Sequence, residues 1–310
     1  MIYKEWLSEW LELYVKPLKY RTYERYRNIC NLHIINGLGD YELDELTPLV
    51  LQKQVNKLMA HGNHKTGGEL SSNSVNNIIT VIQSSLKRAS ELGIGKTYNA
   101  GSIRRPSLEE TTVKCFTIKE QKEIEKAVCA APRRKTLGII IALYTGLRIG
   151  ELLALNFNVV DMQKRTITVK ATCYESKDKN GKFSKIIDTT KTHRTRVIPF
   201  PKQLLPILMD LKLHSKSGYV IESAKGEQMS VRSYQKSFEL LVEKLGISKL
   251  SFHALRHTFA TRALESGMDV KTLSDILGHK SATVTLNRYA HSLMEHKQTA
   301  MDKLGNMLSK

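Results

Sequence analysis

Cysteine is scarce in this sequence of 310 residues, and its four cysteines form no C-x-x-C pair. Cys30, Cys115, Cys129 and Cys173 are far apart along the chain, so neither a disulfide framework nor a zinc ribbon is indicated. We interpret them as small buried apolar side chains of a protein in a reducing compartment.

Long apolar runs are also missing. No apolar stretch approaches the roughly 20 residues that cross a bilayer, and the chain opens on an amphipathic segment rather than on a signal peptide. The sequence therefore predicts a cytoplasmic protein that does not use a membrane as a partner.

Acidic side chains are in the minority. There are 30 Asp and Glu against 48 Lys and Arg, which gives a formal net charge of +18. Residues 1–105 account for +4 of this charge and the remainder for +14. An excess of this size favours a polyanionic partner, with nucleic acid ahead of an anionic membrane surface.

Apolar periodicity predicts a helical domain over residues 1–95. Helical spacing covers residues 2–15 and 20–35, a third helix opens at Thr47-Pro48, and a fourth follows a cap at Ser72 or Asn73. Four helices with one apolar face each form a small bundle. Residues 96–115, which contain Arg104 and Arg105 among glycines and a proline, are predicted to be a basic linker.

Residues 116–310 are predicted to form an α+β domain. Thr117 and Glu120 form a capping box before a helix over 118–130, residues 134–144 form an apolar central helix, and 201–213 and 230–246 are further helices. Period-two alternation from residue 166, a turn at Asn180-Gly181, a return over 185–188 and a third strand at 196–199 indicate strands, with another short one at 219–221. The predicted fold class is mainly α with a small antiparallel β-sheet.

The second half of the chain carries side chains suited to phosphate chemistry. His253 and Arg256 are three residues apart in a helical pattern and share one face. Gly278 ends the next helix and places His279 on a turn, and Tyr289 lies near the far end of the helix after it, which we expect to be half-exposed.

Arg148 is predicted to emerge after a helix break at Gly146. Its apolar neighbours make an anionic partner necessary, and Glu151, one turn further along, is the expected one.

These residues resemble the tyrosine recombinase (phage integrase) family, in the form found in integrases of phages and conjugative transposons. The matching pieces occur in the family's order and span residues 145–291: Thr145-Gly-Leu-Arg148-Ile-Gly-Glu151, Lys191-Thr192, His253-x-x-Arg256, Leu277-Gly278-His279 and Tyr289. The resemblance is looser over residues 1–105. It implies an all-α core-binding bundle followed by a catalytic domain.

The resemblance also implies an activity, namely site-specific DNA recombination through a 3′-phosphotyrosyl intermediate, without metal, cofactor or ATP. The implied catalytic residues are Arg148, Lys191, His253, Arg256, His279 and Tyr289. The arginines and His279 bind the phosphate, Lys191 is the general acid, and His253 takes the proton of the nucleophile Tyr289. Glu151 and His257 are interpreted as supporting residues.

Implied partners are double-stranded DNA recombination sites, a homo-tetramer in the synaptic complex, and accessory DNA-bending proteins. DNA contacts outside the catalytic set are predicted at Arg21, Arg25, Asn73, Asn76, Asn77, Lys87, Arg88, Arg104 and Arg105.

Several alternatives stay open at this stage. The fold could serve a non-catalytic DNA-binding protein or a type IB topoisomerase. Lys179, Lys182 and Lys185 compete with Lys191, and the residues alone do not rank Tyr289 above Tyr174. The amphipathic segment 292–308 either folds back on its own core or docks on a neighbouring protomer.

A zinc site is a further alternative, since His253 and His257 are four apart. The fixed charge of Arg256 between them and the lack of a Glu after the first His argue against it.

Overall fold

A computed structural model describes residues 1–95, 102–108, 113–177, 183–189, 195–289, 301–302 and 304–308. The chain divides into two units, Met1–Thr111 and Thr112–Lys310, and each unit has its own apolar core. None of the helices in the described part of the chain is both long and apolar enough to span a membrane.

The N-terminal unit is helical throughout its described regular structure. The predicted first and second helices each continue through a π-helical turn, and the remaining two predicted helices are present. The elements are α1 (Tyr3–Trp10), a π-turn (Leu11–Val15), α2 (Tyr20–Ile29), a π-turn (Cys30–Ile34), α3 (Ile35–Leu38), a 3₁₀ turn (Leu43–Glu45), α4 (Pro48–His61) and α5 (Ser72–Glu91).

Helix caps set the starts of α4 and α5. Thr47 Oγ1 accepts a hydrogen bond from the Val50 amide, as predicted. The predicted cap of α5 is wrong by one or two residues, because Ser71 Oγ accepts from the Ser74 amide at 3.3 Å. Consecutive polar residues here can each cap a helix, so local chemistry alone does not select one.

Part of the predicted linker packs on the N-terminal unit. Ile103 is buried in its core, and the Arg105 guanidinium donates to Gln83 Oε1 at 2.6 Å and to Thr80 Oγ1 at 3.3 Å on α5. Asn76 Nδ2 donates to the Pro106 carbonyl at 3.0 Å. Residues 96–101 and 109–112 of the predicted linker lie outside the described residues.

The C-terminal unit combines helices with short antiparallel strands. Its helices are α6 (Ile118–Ala130), α7 (Arg134–Thr145), α8 (Ile149–Leu153), α9 (Leu205–Leu213), α10 (Val231–Leu245), α11 (His253–Glu265), α12 (Val270–Leu277) and α13 (Ala282–Tyr289). Its strands are β1 (Val160–Asp161), β2 (Thr166–Val169), β3 (Ala171–Lys177), β4 (Phe183–Thr189) and β5 (Arg196–Pro199). Short 3₁₀ turns at Phe157–Val159 and Lys202–Leu204 complete the regular structure.

The strands form two small sheets rather than the one predicted. β5 pairs with β2, with Ile198 opposite Ile167, in the order β1-β2-β5, and β3 pairs with β4 alone. The predicted strand from residue 166 is interrupted at Lys170, where the chain passes from β2, which pairs with β5 through the buried Ile167 and Ile198, to β3, which pairs with β4. The strand predicted at 219–221 is a single bridge from Tyr219 to Asn156, and the turn at Asn180-Gly181 lies outside the described residues.

Helix α7 occupies the centre of the larger core, as its apolar sequence predicts. Ile139, Ile140 and Ile141 are all buried. Gly146 ends the helix in the left-handed region with φ of +66°, and a Cβ there would lie 2.5 Å from the Phe259 ring. This break releases the chain toward Arg148.

The described helical residues near the C-terminus are exposed. The apolar side chains of Met301, Leu304, Met307 and Leu308 all point to solvent. These residues therefore do not fold back on the core of their own unit, which was one of the two alternatives for this segment.

We expect Ile141→Ala to lower the free energy of unfolding of the C-terminal unit by about 2–5 kcal/mol, because the Ile141 side chain is fully buried and its loss leaves a cavity. Leu213→Ala removes a similar side chain that is 80% exposed, and should change stability by no more than about 0.5 kcal/mol. Urea unfolding measures both. Equal losses in the two variants would contradict this placement of the core.

Candidate active site

The first arginine of the site is anchored where α8 begins. Glu151 accepts a hydrogen bond from the Arg148 backbone amide at 2.9 Å and from Arg148 Nη1, also at 2.9 Å. The expected ion pair is therefore present, and it doubles as a helix cap. The Arg148 side chain remains 40% exposed, so part of its guanidinium faces solvent.

A second arginine on Glu151 was missed by the sequence analysis. Arg196, the first residue of β5, donates through Nη1 and Nη2 to the two Glu151 oxygens at 2.9 and 2.7 Å. Burial raises the pKa of the Glu151 carboxyl, but the bonds to Arg196 and the charge of Arg148 outweigh it and lower that pKa to about 2. Glu151 is therefore ionised at neutral pH.

Arg256 is the most buried charged group of the site. Its side chain is 2% exposed on α11, and it donates to the Gly146 carbonyl at 2.8 Å and the Leu277 carbonyl at 2.7 Å. Burial and then the nearby Arg148 lower its pKa to about 9, so the guanidinium stays charged at pH 7.

His279 lies beside this guanidinium, on the turn predicted after Gly278. Arg256 Nη2 lies 3.0 Å from His279 Nε2, and His279 Nδ1 lies 2.7 Å from Thr285 Oγ1. Burial, followed by the charge of Arg256, lowers the pKa of His279 to about 4. A neutral ring whose Nε2 accepts from Arg256 donates its Nδ1–H to Thr285.

The C-terminal end of α12 brings these groups together. The Leu277 carbonyl accepts from Arg256 and, at 3.4 Å, from Arg148 Nη1, and the Ile276 carbonyl accepts from Arg196 Nε at 2.8 Å. The last carbonyls of a helix lack intrahelical donors and carry partial negative charge, so cations stabilise them. One helix end therefore gathers three arginines from three other elements.

Tyr289 lies on α13, which is half-exposed as expected, and Tyr289 is on the buried side of this helix together with Thr285. Its side chain is buried in the small cluster formed with α11 and α12, and its Oη lies 2.7 Å from His257 Nδ1. Burial raises the pKa of this tyrosine, and the charges of Arg256 and Arg288 oppose that rise. The polar residues flanking Tyr289 in the sequence obscured its burial.

His257, interpreted from the sequence as a support for its helix, is thus the residue in contact with the phenol. Burial and then the neighbouring His253 lower its pKa to about 3, so its ring is neutral at pH 7. His253 is exposed and contacts the His257 ring edge-on at 4.6 Å between centroids. Within the described residues, no three His, Cys, Asp or Glu side chains are close enough to share a metal ion.

Lys191, Lys179 and Lys182 lie outside the described residues. Of the predicted lysine candidates, Lys185 on β4 lies within the described residues. Its Nζ donates to the carbonyl of Gln228. This bond does not decide between Lys185 and Lys191 as the general acid.

The predicted DNA contacts lie on the N-terminal unit, and several bond one another. Arg25 Nη2 donates to Asn77 Oδ1 at 2.5 Å, and Arg105 Nη1 donates to the Asn76 carbonyl at 3.2 Å. The Arg88 guanidinium lies 4.8 Å from the centre of the Tyr14 ring. Arg21, Asn73, Lys87 and Arg104 are exposed.

Comparison with known families matches both units. The phage integrase family matches residues 114–296, more than half of the chain, and the phage integrase N-terminal SAM-like domain matches residues 2–59. The chain belongs to the phage integrase family. Membership makes it a site-specific DNA recombinase, an enzyme that breaks and rejoins DNA.

Curated relatives of this integrase cover most of its length. A tyrosine recombinase XerC-like protein of Caldanaerobacter subterraneus is 27% identical over 97% of this chain and 81% of its own. The ICEBs1 integrase of Bacillus subtilis is 25% identical over 92% of this chain and 78% of its own.

Solved structures share the fold. The Tn1549 transposon integrase in complex with a circular intermediate DNA superposes with a TM-score of 0.82 at 21% identity, covering 98% of this chain and 99% of that one. A lambda integrase dimer bound to a core site gives a TM-score of 0.72 at 19% identity, covering 93% and 95%. The predicted fold class, mainly α with a small antiparallel β-sheet, is confirmed, with two such sheets in place of one.

Acid should destabilise the C-terminal unit of this integrase, because the fold lowers the pKa values of two of its histidines. Unfolded histidine titrates near pH 6.5, whereas His279 and His257 titrate at about 4 and about 3 in the fold. The unfolded chain therefore binds more protons below pH 6.5, and stability falls as pH falls toward the folded values. Each histidine contributes up to about 2 kcal/mol of this loss at pH 5.

Urea unfolding at pH 7 and pH 5 tests the expectation. His257→Phe should lose less stability between the two pH values than the unaltered chain, because one titrating group is gone. An identical loss of stability in the variant would show that the surroundings of His257 do not lower its pKa.

Proposed function

We propose that this integrase cuts one DNA strand by attack of Tyr289 on a phosphodiester, forming a 3′-phosphotyrosyl bond and a free 5′-hydroxyl. The observation that carries the proposal is the meeting of Arg148, Arg256 and His279 at the end of α12, with Tyr289 on the helix that follows. The family's pattern assigns the same residues to these roles.

Electrostatics support a phosphate at this place. Three guanidinium groups and one carboxylate meet around Glu151 and Leu277, so positive charge is in excess. Phosphoryl transfer places charge on the equatorial oxygens, and catalysis depends on positioned donors that meet that charge. Arg148 and Arg256 would each offer a fork of N–H groups, and His279 would add a third donor after its Nε2 gains a proton or its tautomer changes.

The proposed nucleophile, the Tyr289 hydroxyl, is held by a hydrogen bond before the reaction. Tyr289 Oη is bonded to His257 and buried, so it must turn outward before it reaches a phosphate. The proton of Tyr289 leaves as the new P–O bond forms, and His253, exposed beside His257, is the proposed acceptor at the reacting position. Although part of the His253 side chain is exposed, desolvation of its ring and then the charge of Arg256 lower its pKa to about 4, so the ring is neutral and can accept a proton.

Lys191 is the proposed general acid for the departing 5′ oxygen, on the family's pattern. The bond energy stays in the phosphotyrosine, so a 5′-hydroxyl of another strand can attack it and rejoin the DNA without ATP. The arginines supply the positive charge that a metal provides in other phosphoryl transfers.

The proposed partners are double-stranded recombination sites. A net charge of +18 supports binding to DNA phosphates, and the N-terminal unit offers Arg21, Lys87 and Arg104 on its surface. Exchange of both strands between two duplexes requires four active sites, so a homo-tetramer on DNA is the proposed working assembly, with accessory DNA-bending proteins as further partners.

A nicked duplex that traps the covalent complex tests the nucleophile. The unaltered chain should form a protein–DNA adduct that survives denaturation, and Tyr289→Phe should form none because the attacking oxygen is gone. Tyr174→Phe, which removes a hydroxyl from β3 in the same unit, should still form the adduct. Denaturing gel electrophoresis of labelled DNA measures all three.

Two outcomes would contradict the proposal. If Tyr289→Phe still forms an adduct, a residue other than Tyr289 is the nucleophile. Tight, salt-sensitive binding without any adduct from the unaltered chain would point to a non-catalytic DNA-binding protein.

A further inference from the structure

We propose that Arg196 is a positioning residue of the recombinase, which occupies Glu151 so that Arg148 keeps its outer N–H groups for the scissile phosphate. The inference rests on the proposed function, since it concerns how one arginine of that site is held ready.

Arg196 is fully engaged with the protein. Its Nη1 and Nη2 bond the two oxygens of Glu151, and its Nε bonds the Ile276 carbonyl. The side chain is 13% exposed, and a Cβ on Gly278 would lie 3.0 Å from its Nε. A guanidinium with all three nitrogens committed and a glycine packed on it is not a phosphate ligand itself.

Arg148 is engaged differently. Only its Nη1 contacts acceptors, Glu151 Oε1 at 2.9 Å and the Leu277 carbonyl at 3.4 Å. Among the described residues, its Nε and Nη2 have no protein acceptor, and the side chain is the more exposed of the two. These are the donors that a phosphate oxygen would use.

The carboxylate decides between the two arginines. Glu151 is buried and ionised, so it requires strong hydrogen bonds on both oxygens. With Arg196 absent, the nearest fork of donors is Arg148, and a bidentate Arg148–Glu151 pair would consume the N–H groups that face the ligand. Arg196 therefore keeps Arg148 from turning inward.

A substrate with a methylphosphonate at the cleavage position gives a readout that a purely structural role would not change. Replacing one charged oxygen by methyl removes the negative charge that the arginines stabilise, so loss of an arginine's contribution matters less on this substrate. We expect Arg148→Ala to reduce the cleavage rate more on the phosphodiester than on the methylphosphonate.

Arg196→Met should show the same pattern, with cleavage of the phosphodiester reduced about 100-fold and a clearly smaller reduction on the methylphosphonate. The cleavage rates of Arg196→Lys should fall between those of the unaltered chain and those of Arg196→Met, because one ammonium group cannot bond both oxygens of Glu151. Partial unfolding lowers both rates by one factor, so the ratio of the two rates reports on the site whatever the folded fraction.

Arg134 provides a matched control. It also forms an ion pair with a buried carboxylate in the same unit, Glu222 at 3.3 Å, and donates to the Leu211 carbonyl at 2.9 Å. Arg134→Met should leave the ratio of the two rates at the value of the unaltered chain.

The outcomes separate the two claims. If the unaltered chain forms no adduct on the phosphodiester, the proposed function fails. If it does, and Arg196→Met keeps the unaltered ratio as Arg134→Met does, Arg196 is structural and the inference is overturned. A ratio shifted as in Arg148→Ala supports it.

Discussion

A buried carboxylate governs the arrangement of the candidate active site. Glu151 is removed from water, and an ionised group in that position is tolerated only when both of its oxygens are bonded to cations or other donors. Arg148 on the same turn and Arg196 from β5 meet that demand. Removing one partner of such a pair costs about 3–5 kcal/mol in other proteins, because the remaining charge is left uncompensated. The ionic contact therefore fixes where α8 and β5 lie as well as where Arg148 points.

The end of α12 supplies the second constraint. Its terminal carbonyls need donors, and the guanidinium groups of Arg256, Arg148 and Arg196 provide them. Each arginine is thus held in part by backbone carbonyls that carry only partial charge, and Arg148 and Arg196 share a single carboxylate. The excess positive charge at this place can bind an anion. Its free-energy cost is lower than that of three unpaired cations, because the partial negative charge of the helix end offsets part of it.

The sequence predicted the local parts of this site and missed the long-range ones. Arg148 and Glu151 are three residues apart, and Gly146 and Gly278 end their helices, so short-range rules found them. Arg196 contacts Glu151 across 45 residues of chain, and no spacing rule connects a strand's first residue to a helix cap. The burial of Tyr289 depends on α11 and α12 packing around it, which its polar sequence neighbours conceal. Family resemblance named Tyr289 but said nothing of His257 as the partner of its hydroxyl.

The contact between Tyr289 and His257 has a physical consequence for control of the reaction. A phenol that is buried and bonded to a neutral imidazole is more weakly acidic than one in water, as the raised pKa of Tyr289 reflects. In the free chain the proposed nucleophile is therefore both buried and poorly ionised. Since burial is the largest cause of the raised pKa, turning Tyr289 outward exposes it and lowers its pKa together. In the proposed reaction, access of Tyr289 to the phosphate and the lower pKa of its hydroxyl would then follow from one movement.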